Sequence, residues 1–274
     1  MIVHSVSLIG QRPSNEDHHF MVDNIDGTNS NIADINLYCI FDGHGGKGVS
    51  KFLKENLPNY FLKKDILHNP SKKHEYYKYI KKIFDYIQNK LTKDINAAKN
   101  AGSTALISLF YKNGTKTYYY IINVGDSRAV LCNKYNIAIP LSKDHKPICY
   151  EEKKRISELG GKIVFDGGDW RIKDLSVSRA FGDLDALPYV CHTPDIFHDS
   201  LSSNDKFMIL ACDGLWDVLS SQEVVDFILE ELEKIKKNKS TNGVGKNNIA
   251  RTLGEYAIQK GSYDNITIII IFFI

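Results

Sequence analysis

The 274-residue chain contains no long hydrophobic run, few cysteines and almost no net charge. No apolar stretch approaches the roughly 20 residues of a membrane-spanning helix, which excludes such a helix. The five cysteines are scattered and lack the Cys-x-x-Cys spacing of zinc sites, so we expect free thiols in a reducing compartment. The first residues lack the basic and apolar regions of a secretory signal. These absences predict a cytoplasmic or nuclear protein.

The net charge of +2 is too small to indicate nucleic acid as a partner. Basic and aromatic residues are not interleaved as they are in proteins that bind single strands. The charge is unevenly distributed, because residues 47–99 contain 13 lysines and only five acidic residues. We interpret these lysines as solvated helix faces. We therefore expect neither nucleic acid nor a membrane as a partner, and we expect a monomer.

The hydrophobic pattern predicts one α+β domain over residues 1–274, with antiparallel strands and pairs of helices outside them. Apolar strand-like runs occupy residues 3–8, 19–22, 35–41, 103–111, 116–124, 129–132, 207–211 and 265–273. Helical patterns occupy residues 46–62, 73–98, 148–159, 220–236 and 248–260. The turn-rich residues 162–192 are predicted to form a mobile surface loop, and residues 237–246 a flexible one. No proline-rich linker or internal repeat divides the chain.

Three local patterns sharpen these predictions. Asn113-Gly114 is a favourable hairpin turn between two of the strands. Ser220 and Glu223 form a capping box at a helix start. One apolar stripe at helical spacing indicates a core-facing helix, and its members are Tyr76, Ile80, Ile83, Phe84, Ile87, Leu91 and Ile95.

Acidic residues stand beside glycines, or at the ends of apolar runs, in distant parts of the chain. They are Glu16, Asp17, Asp42, Asp126, Asp213, Asp217 and Asp264. A carboxylate at the end of a buried strand is costly unless a positive charge meets it. Mg²⁺ and Mn²⁺ prefer oxygen ligands and are the usual shared partner of such groups. The chain is therefore predicted to be a metal-dependent hydrolase.

The segment Asp42-Gly43-His44 is the densest of these clusters. In an extended tip Asp42 and His44 point to the same side, and Gly43 allows its backbone carbonyl to approach a metal closely. Asp42 has two carboxylate oxygens and could bridge two ions, an arrangement that activates water for attack on phosphorus. Asp213 and Asp264 would complete the coordination of one ion.

Other residues fit the remaining roles of a phosphoester hydrolase. Glu16 would serve the second ion, and His44 could protonate the departing alkoxide. Arg12 offers the planar fork that binds phosphate oxygens. Taken alone, Arg12 is equally compatible with a structural ion pair to Asp17, and a single Asp-Gly pair is usually a turn.

Eight motifs in order resemble those of the metal-dependent protein phosphatases of type 2C. They are Arg-x-x-x-Glu-Asp (12–17), Phe-Asp-Gly-His-Gly-Gly (41–46), Gly-Ser-Thr-Ala (102–105), Asn-Val-Gly-Asp-Ser-Arg-Ala (123–129), Leu-Ser-x-Asp-His-Lys-Pro (141–147), Ser-Arg-Ala-Phe-Gly-Asp (178–183), Ala-Cys-Asp-Gly-Leu-Trp-Asp-Val (211–218) and Asp-Asn-Ile-Thr (264–267). Each motif alone is weak evidence, whereas the ordered series is specific. The resemblance extends over residues 8–273.

This resemblance implies a sandwich of two antiparallel sheets with helices outside and a dinuclear Mg²⁺ or Mn²⁺ centre at one end. It implies that phosphoserine and phosphothreonine in proteins are hydrolysed by metal-activated water, without a phosphoenzyme. The implied metal ligands are Asp42 as the bridge, the Gly43 carbonyl, Asp213, Asp264 and Glu16, with Asp126 and Asp217 at a weaker third position. Arg12 would hold phosphate and His44 would be the acid.

Residues 162–192 match the family's variable flap beside the site. Within them, residues 170–175 lack a glycine that the family usually has and are one residue shorter. This departure leaves the conformation of the flap, and so the substrate preference, open, and it removes no metal ligand. Two other functions stay open: an inactive relative that serves as a binding module, and a hydrolase of small or nucleic-acid phosphoesters. The complete set of carboxylates disfavours the first of these.

Overall fold

The computed structural model describes residues 1–62, 72–94, 96–237 and 247–273. The strands are β1 (Ile2–Leu8), β2 (His18–Asp23), β3 (Ile35–Phe41), β4 (Gly43–His44), β5 (Gly102–Ser103), β6 (Ala105–Asn113), β7 (Lys116–Val124), β8 (Arg128–Cys132), β9 (Ala138–Pro140), β10 (Val164–Asp166), β11 (Asp169–Arg171), β12 (Phe181–Gly182), β13 (Asp195–Ser200), β14 (Phe207–Ala211) and β15 (Ile266–Phe272). The α-helices are α1 (Gly48–Asn56), α2 (Asn59–Leu62), α3 (Lys73–Asp94), α4 (Tyr150–Glu158), α5 (Asp213–Trp216), α6 (Ser221–Lys237) and α7 (Ile249–Gln259). Short 3-10 helices span Asn96–Lys99 and Leu184–Ala186.

Two five-stranded sheets dominate the fold. The first sheet has the strand order β1-β15-β14-β8-β9, and the second sheet has the order β13-β7-β6-β3-β2. Every neighbouring pair in both sheets is antiparallel. A small third sheet of β12, β5 and β4 joins the loops at one end.

Side chains alternate across the central strands and so build three apolar layers. Tyr38 and Ile40 of β3 meet Ile269 of β15 in the layer between the two sheets. Leu37 faces the other way, onto the helices α1 and α3, and Ile270 packs with α6 and α7 on the opposite side. All five side chains are fully buried. Burial stabilises the fold by about 1.5–3 kcal/mol for each aliphatic side chain among them. The predicted α+β sandwich with helices on both outer faces is confirmed.

Two local predictions are confirmed in detail. The backbone N–H of Ser220 donates to Glu223 Oε2 at 2.8 Å, and the N–H of Glu223 donates back to Ser220 Oγ at 3.3 Å. This reciprocal pair is the capping box of α6. The hairpin joins β6 to β7 with Asn113 opposite Lys116, and Gly114 adopts a φ of 62°.

Other boundaries differ from the prediction. The helix expected over residues 46–62 is divided into α1 and α2, because Pro58 has no N–H to continue the first helix. The helix expected over residues 73–98 ends as an α-helix at Asp94 and a 3-10 turn follows from Asn96. Strand β13 was not predicted, although it pairs with six residues of β7. It is an edge strand in which polar and apolar residues are mixed, so its hydrophobic signal is weak.

The predicted loop over residues 162–192 has more structure than its sequence indicates. It contains the hairpin β10–β11, the strand β12 and a small apolar core in which Ile172, Val177 and Val190 are buried. Lys173 and Asp174 both have positive φ, at 51° and 67°, in the left-handed region that favours glycine. The turn is held by two hydrogen bonds between the backbones of Ile172 and Leu175, each 3.0 Å long.

The predicted flexible loop over residues 237–246 lies outside the described residues except for Lys237, and Ile95 of the apolar stripe also lies outside them. The other members of that stripe are buried. Within the described parts of the chain, no helix has the length and apolar character needed to cross a bilayer.

Candidate metal and phosphate site

A cavity of about 500 Å³ opens at the end of the sandwich where the loops of both sheets meet. Its walls bring together residues from the two ends of the chain. They are Arg12, Pro13, Ser14, Glu16, Asp42, Gly43, His44, Gly45, Asn100, Thr104, Asp126, Arg171, Asp174, Leu175, Ser176, Val177, Asp213, Asp264 and Asn265. Of the predicted site residues, only Asp217 does not line it.

Asp42 lies at the base of the cavity because β3 ends at the preceding residue. Its backbone N–H donates to Thr104 Oγ1 at 3.2 Å, and its carbonyl accepts from the Thr104 N–H at 2.8 Å. Gly43 follows in a crowded position, where a Cβ atom would lie 2.5 Å from the Glu16 carbonyl oxygen and 2.6 Å from Ser50 Oγ. Only glycine therefore allows the chain to pass here.

Asp126 and Asp213 bring their carboxylates to Asp42 from other strands. Asp126 follows β7, and Asp213 begins the short helix α5 after β14. Oxygen atoms of the three carboxylates lie within 4.8 Å of one another. We call these three residues the acidic triad.

The acidic triad is electrostatically strained in the absence of a cation. Burial, followed by the charges of Asp213 and other carboxylates, raises the pKa of Asp42 well above its ordinary value. Burial and the charge of Asp126 do the same to the pKa of Asp213. A divalent cation would relieve this repulsion, because it binds carboxylate oxygens at the spacing found here. The residues therefore fit a metal centre.

Asp17 adds a fourth carboxylate beneath the acidic triad. Oxygens of Asp17 and Asp42 and the sulfur of Cys212 also lie within 4.8 Å of one another. Asp17 Oδ2 accepts from Thr267 Oγ1 at 2.7 Å, and burial raises the pKa of Asp17 to about 6. The sequence pattern placed Asp17 among the acidic residues that share a cation, but it assigned Asp17 no particular role.

Glu16 and Asp264 lie at the wall of the cavity and outside the closest cluster. Glu16 Oε2 accepts from the Gly46 N–H at 2.9 Å. Asp264 Oδ1 accepts from the N–H of Asn265 at 2.7 Å, and its Oδ2 accepts from Arg12 Nη2 at 2.7 Å. Arg12 thus pairs with Asp264, which corrects the ion pair with Asp17 that its sequence position allowed. More than half of the Arg12 side chain remains exposed to the cavity and solvent.

His44 is held by a residue that the sequence analysis did not assign to the site. Its Nε2 lies 2.8 Å and 3.0 Å from the two carboxylate oxygens of Asp183, which is buried. Gly102 makes room for the pair, because a Cβ there would lie 2.1 Å from Asp183 Oδ2. Burial alone would lower the pKa of His44, but the hydrogen bond and charge of Asp183 outweigh it and raise that pKa. The contact with Asp183 therefore stabilises the imidazolium form relative to that of an ordinary histidine.

Asp217 is separated from the acidic triad by an ammonium group. Lys146 Nζ lies 3.1 Å from Asp126 Oδ2 and 3.6 Å from Asp217 Oδ1. Burial would lower the pKa of Lys146, but the charges of Asp126, Asp217 and Asp213 outweigh it and raise that pKa. The position predicted for a weaker third metal thus contains a cation that belongs to the chain.

A second group of charged residues, which we call the arginine cluster, lies at the contact between the flap and α4. Glu152 of α4 is buried, and its Oε1 accepts from Arg179 Nη2 at 2.6 Å while its Oε2 accepts from Arg155 Nη2 at 2.8 Å. Ser178 Oγ also donates to Glu152, at 2.8 Å. Arg179 continues to Asp195 Oδ1 at 2.8 Å. The cluster joins α4 to the loop before β12 and to β13.

The two residues that contact the predicted site residues without having been predicted, Lys146 and Asp183, each lie in one of the eight motifs. Lys146 is in the Asp-His-Lys-Pro motif, and Asp183 ends the Ser-Arg-Ala-Phe-Gly-Asp motif. The signal that could have found them is electrostatic, because a cluster of carboxylates needs nearby cations and a catalytic histidine needs an acceptor for its second nitrogen.

Comparison with known proteins identifies the same family throughout the chain. The family model described as Protein phosphatase 2C matches residues 3–266. A probable protein phosphatase 2C of Oryza sativa subsp. japonica is 36% identical over 271 residues, covering 98% of this chain and 64% of the rice protein. A PP2C-like domain-containing protein of Acanthamoeba polyphaga mimivirus is 52% identical over 167 residues, covering 56% of this chain and 93% of the viral protein.

A solved structure of a sex determining protein from C. elegans has the same fold, with a TM-score of 0.83 at 25% identity. The match covers 98% of this chain and 64% of the nematode chain. The chain therefore spans less than two thirds of both the rice and the nematode proteins.

Proposed function

The chain belongs to the protein phosphatase 2C family, and on that premise we propose that it hydrolyses phosphoserine and phosphothreonine in proteins with two Mg²⁺ or Mn²⁺ ions. The observation that carries the proposal is the acidic triad, three carboxylates within 4.8 Å at the base of an open cavity. Phosphoproteins are the proposed substrates. A monomer in the cytoplasm or nucleus stays a prediction.

The proposed ligands surround the base of the cavity. Asp42 would bridge the two ions, with the Gly43 carbonyl, Asp213 and Asp264 as further ligands and Glu16 toward the second ion. Bound there, the cations would neutralise charge on the phosphoryl group and supply an activated water as the nucleophile. The raised pKa values of Asp42 and Asp213 support this assignment, because burial and the neighbouring carboxylates outweigh the positive charge that the described residues bring near them.

Arg12 would hold the phosphate at the rim of the cavity. Its hydrogen bond to Asp264 fixes one edge of the guanidinium, and the exposed remainder can donate to phosphate oxygens. The side chain is thereby oriented before substrate arrives, which lowers the entropic cost of binding.

His44 would donate a proton to the departing oxygen of serine or threonine. Because Asp183 accepts at Nε2, the proton that His44 can deliver is on Nδ1. Asp183 keeps the ring in one orientation and favours its protonated form. Such general acid catalysis is typically worth about 10²–10⁴-fold.

The proposal is tested with purified protein, metal ions and three substrates. We expect no turnover of a phosphothreonine peptide in EDTA, full recovery with Mn²⁺ or Mg²⁺, and poor recovery with Ca²⁺, whose looser coordination positions water less well. Turnover by extensively dialysed protein in excess chelator would contradict the metal assignment. Hydrolysis of p-nitrophenyl phosphate and of a nucleotide but not of the peptide would favour the small-phosphoester alternative. Inactivity on all three would favour a binding module.

The role of His44 is tested by the leaving group. In His44→Gln, kcat with the phosphothreonine peptide should fall about 10²–10⁴-fold. The rate with p-nitrophenyl phosphate should fall much less, because p-nitrophenolate leaves without a proton. Equal losses on both substrates would assign His44 to positioning and not to proton donation.

A further inference from the structure

Lys146 is an ammonium group built into the wall of the metal site. Its Nζ makes contacts with two carboxylates, Asp126 at 3.1 Å and Asp217 at 3.6 Å, and it lies 4.0 Å from Asp169 Oδ2. Only 20% of the side chain is exposed. Asp126 itself is 1% exposed, so the ammonium meets a carboxylate that water scarcely reaches.

The backbone holds Lys146 in this place. The neighbouring His145 donates its backbone N–H to the Gly125 carbonyl at 3.0 Å, and its Nδ1 accepts from the Gly125 N–H at 3.1 Å. Gly125 directly precedes Asp126, so the two segments are fastened together next to the ion pair. The His145 carbonyl also accepts from the Ser178 N–H at 2.8 Å. Lys146 is therefore a fixed part of the site and differs from the exposed lysines of the helices.

We propose that Lys146 serves as a tethered cation at the position between Asp126 and Asp217, where it takes the place of a third divalent ion. The inference rests on the proposed function, because it assumes that two ions occupy the neighbouring ligands. An ion bound by Asp126 and Asp217 would lie within a few ångströms of the ammonium. The repulsion between charges of +2 and +1 at about 4 Å weakens binding by about 30-fold even at the dielectric constant of water.

In this arrangement the positive charges of the site come from two sources, the bound ions and the protein itself. Two divalent ions come from solution, and the third positive charge is always present. The third position then no longer makes activity depend on high concentrations of divalent metal. Substitution of the lysine should restore that dependence.

The test counts Mn²⁺ ions by electron paramagnetic resonance of free Mn²⁺ in titrations of the full chain. Lys146→Met removes the charge and keeps a side chain of similar length. We expect two ions to bind as in the wild type and a third to bind about 10- to 30-fold more tightly. The control is Lys143→Met, which removes an exposed lysine whose partner is Glu151 at 3.7 Å. The control should leave all three affinities unchanged.

The outcomes separate this inference from the proposed function. Unchanged third-ion affinity in Lys146→Met, with two ions bound normally, would overturn the role of Lys146 alone. A wild-type protein that binds no divalent ion and hydrolyses no phosphopeptide would instead overturn the proposed function.

A second measurement covers the case in which Lys146→Met does not fold. Wild-type protein is prepared with lysine labelled with ¹³C at Cε, and the Lys146 signal is assigned with the charge-conserving variant Lys146→Arg. During titration with Mg²⁺, we expect that signal to shift only after two equivalents have bound, as a further ion displaces the ammonium. A signal that stays fixed while a third ion binds would overturn the proposal.

Discussion

The acidic triad and the arginine cluster both bury carboxylates, yet the pKa shifts in them have opposite signs. Burial and neighbouring carboxylates raise the pKa of Asp42 well above its ordinary value. Glu152 is also buried, and burial alone would raise its pKa, but its hydrogen bonds with Arg179 and Arg155 lower that pKa to about 2. Burial is common to both sites, so the opposite directions of the pKa shifts result from the number of positive groups that contact each carboxylate.

This difference distinguishes a site for a ligand from a structural site. In the arginine cluster, the chain itself supplies guanidinium groups that saturate Glu152. In the acidic triad, Lys146 forms an ion pair with Asp126. The pKa values of Asp42 and Asp213 nevertheless stay raised, because burial and the neighbouring carboxylates dominate. An amide in place of a carboxylate should therefore damage function at the first site and stability at the second.

The largest expected effect is that of Asp42→Asn on catalysis. We expect kcat with a phosphothreonine peptide at saturating Mn²⁺ to fall about a thousandfold or more, because the metal contributes several kcal/mol to transition-state stabilisation. The melting temperature in EDTA should stay the same or rise, since one of the repelling carboxylates is removed. A kcat within tenfold of the wild type would exclude Asp42 as a bridging ligand.

The next largest effect is that of Glu152→Gln on stability. We expect the free energy of unfolding, measured with urea, to fall by about 3 kcal/mol, because two partly buried guanidinium groups lose the negative charge of the buried Glu152. Mn²⁺ affinity should not change. The control is Glu151→Gln at the exposed neighbour, with an expected change under about 1 kcal/mol. Similar losses in both variants would remove the contrast between the two regions.

The pH dependence of that stabilisation gives a smaller and more specific test. The folded pKa of Glu152, about 2, lies below its ordinary value of 4.5, so the carboxylate stabilises the fold fully above pH 4.5. The stabilisation is lost as pH falls from there toward 2, while Arg155 and Arg179 stay charged. We expect the stability difference between wild type and Glu152→Gln to shrink by about 3 kcal/mol over this range. A difference independent of pH would contradict the role of the charge.

The smallest effect is expected for Arg12→Ala, at the boundary between ligand binding and structure. Its ion pair with Asp264 is largely exposed, so the free energy of unfolding should change by less than about 1 kcal/mol. The KM for the phosphopeptide should rise about tenfold, as expected for the loss of a charged hydrogen bond. Arg12→Lys should give an intermediate KM, because lysine keeps the charge without the fork. An unchanged KM in Arg12→Ala would show that Arg12 does not bind phosphate and only forms the ion pair with Asp264.

The sequence predicted the elements of the core and the carboxylates of the site for a common physical reason. Strands such as β3 and β15 are almost entirely apolar runs, and a shared cation explains why several acidic residues stand together beside their ends. Strand β13 could not be found in this way, because an edge strand needs no continuous apolar run. Its pairing depends on β7, which is distant in sequence.

The partners of the proposed catalytic groups could not be predicted from the sequence either. Asp183 meets His44 across 139 positions of the chain, and no local pattern encodes that contact. Lys146 is one lysine among many, and only the folded structure brings it to Asp126 and Asp217. Residue types at strand ends could be read from the sequence, whereas the contacts between loops of the two sheets required the structure.

The carboxylates of the cavity come from both sheets, so a cation there would fasten one sheet to the other. Asp42 and Asp126 follow strands of the second sheet, whereas Asp213 follows and Asp264 precedes strands of the first. Ions held by these residues bind the folded chain and not the unfolded one. At a free ion concentration 100-fold above Kd, this adds about 2.7 kcal/mol to stability. If the proposed ions bind, the melting temperature would report the concentration of the divalent cation, and a shortage of that cation would lower the amount of folded protein as well as the proposed turnover.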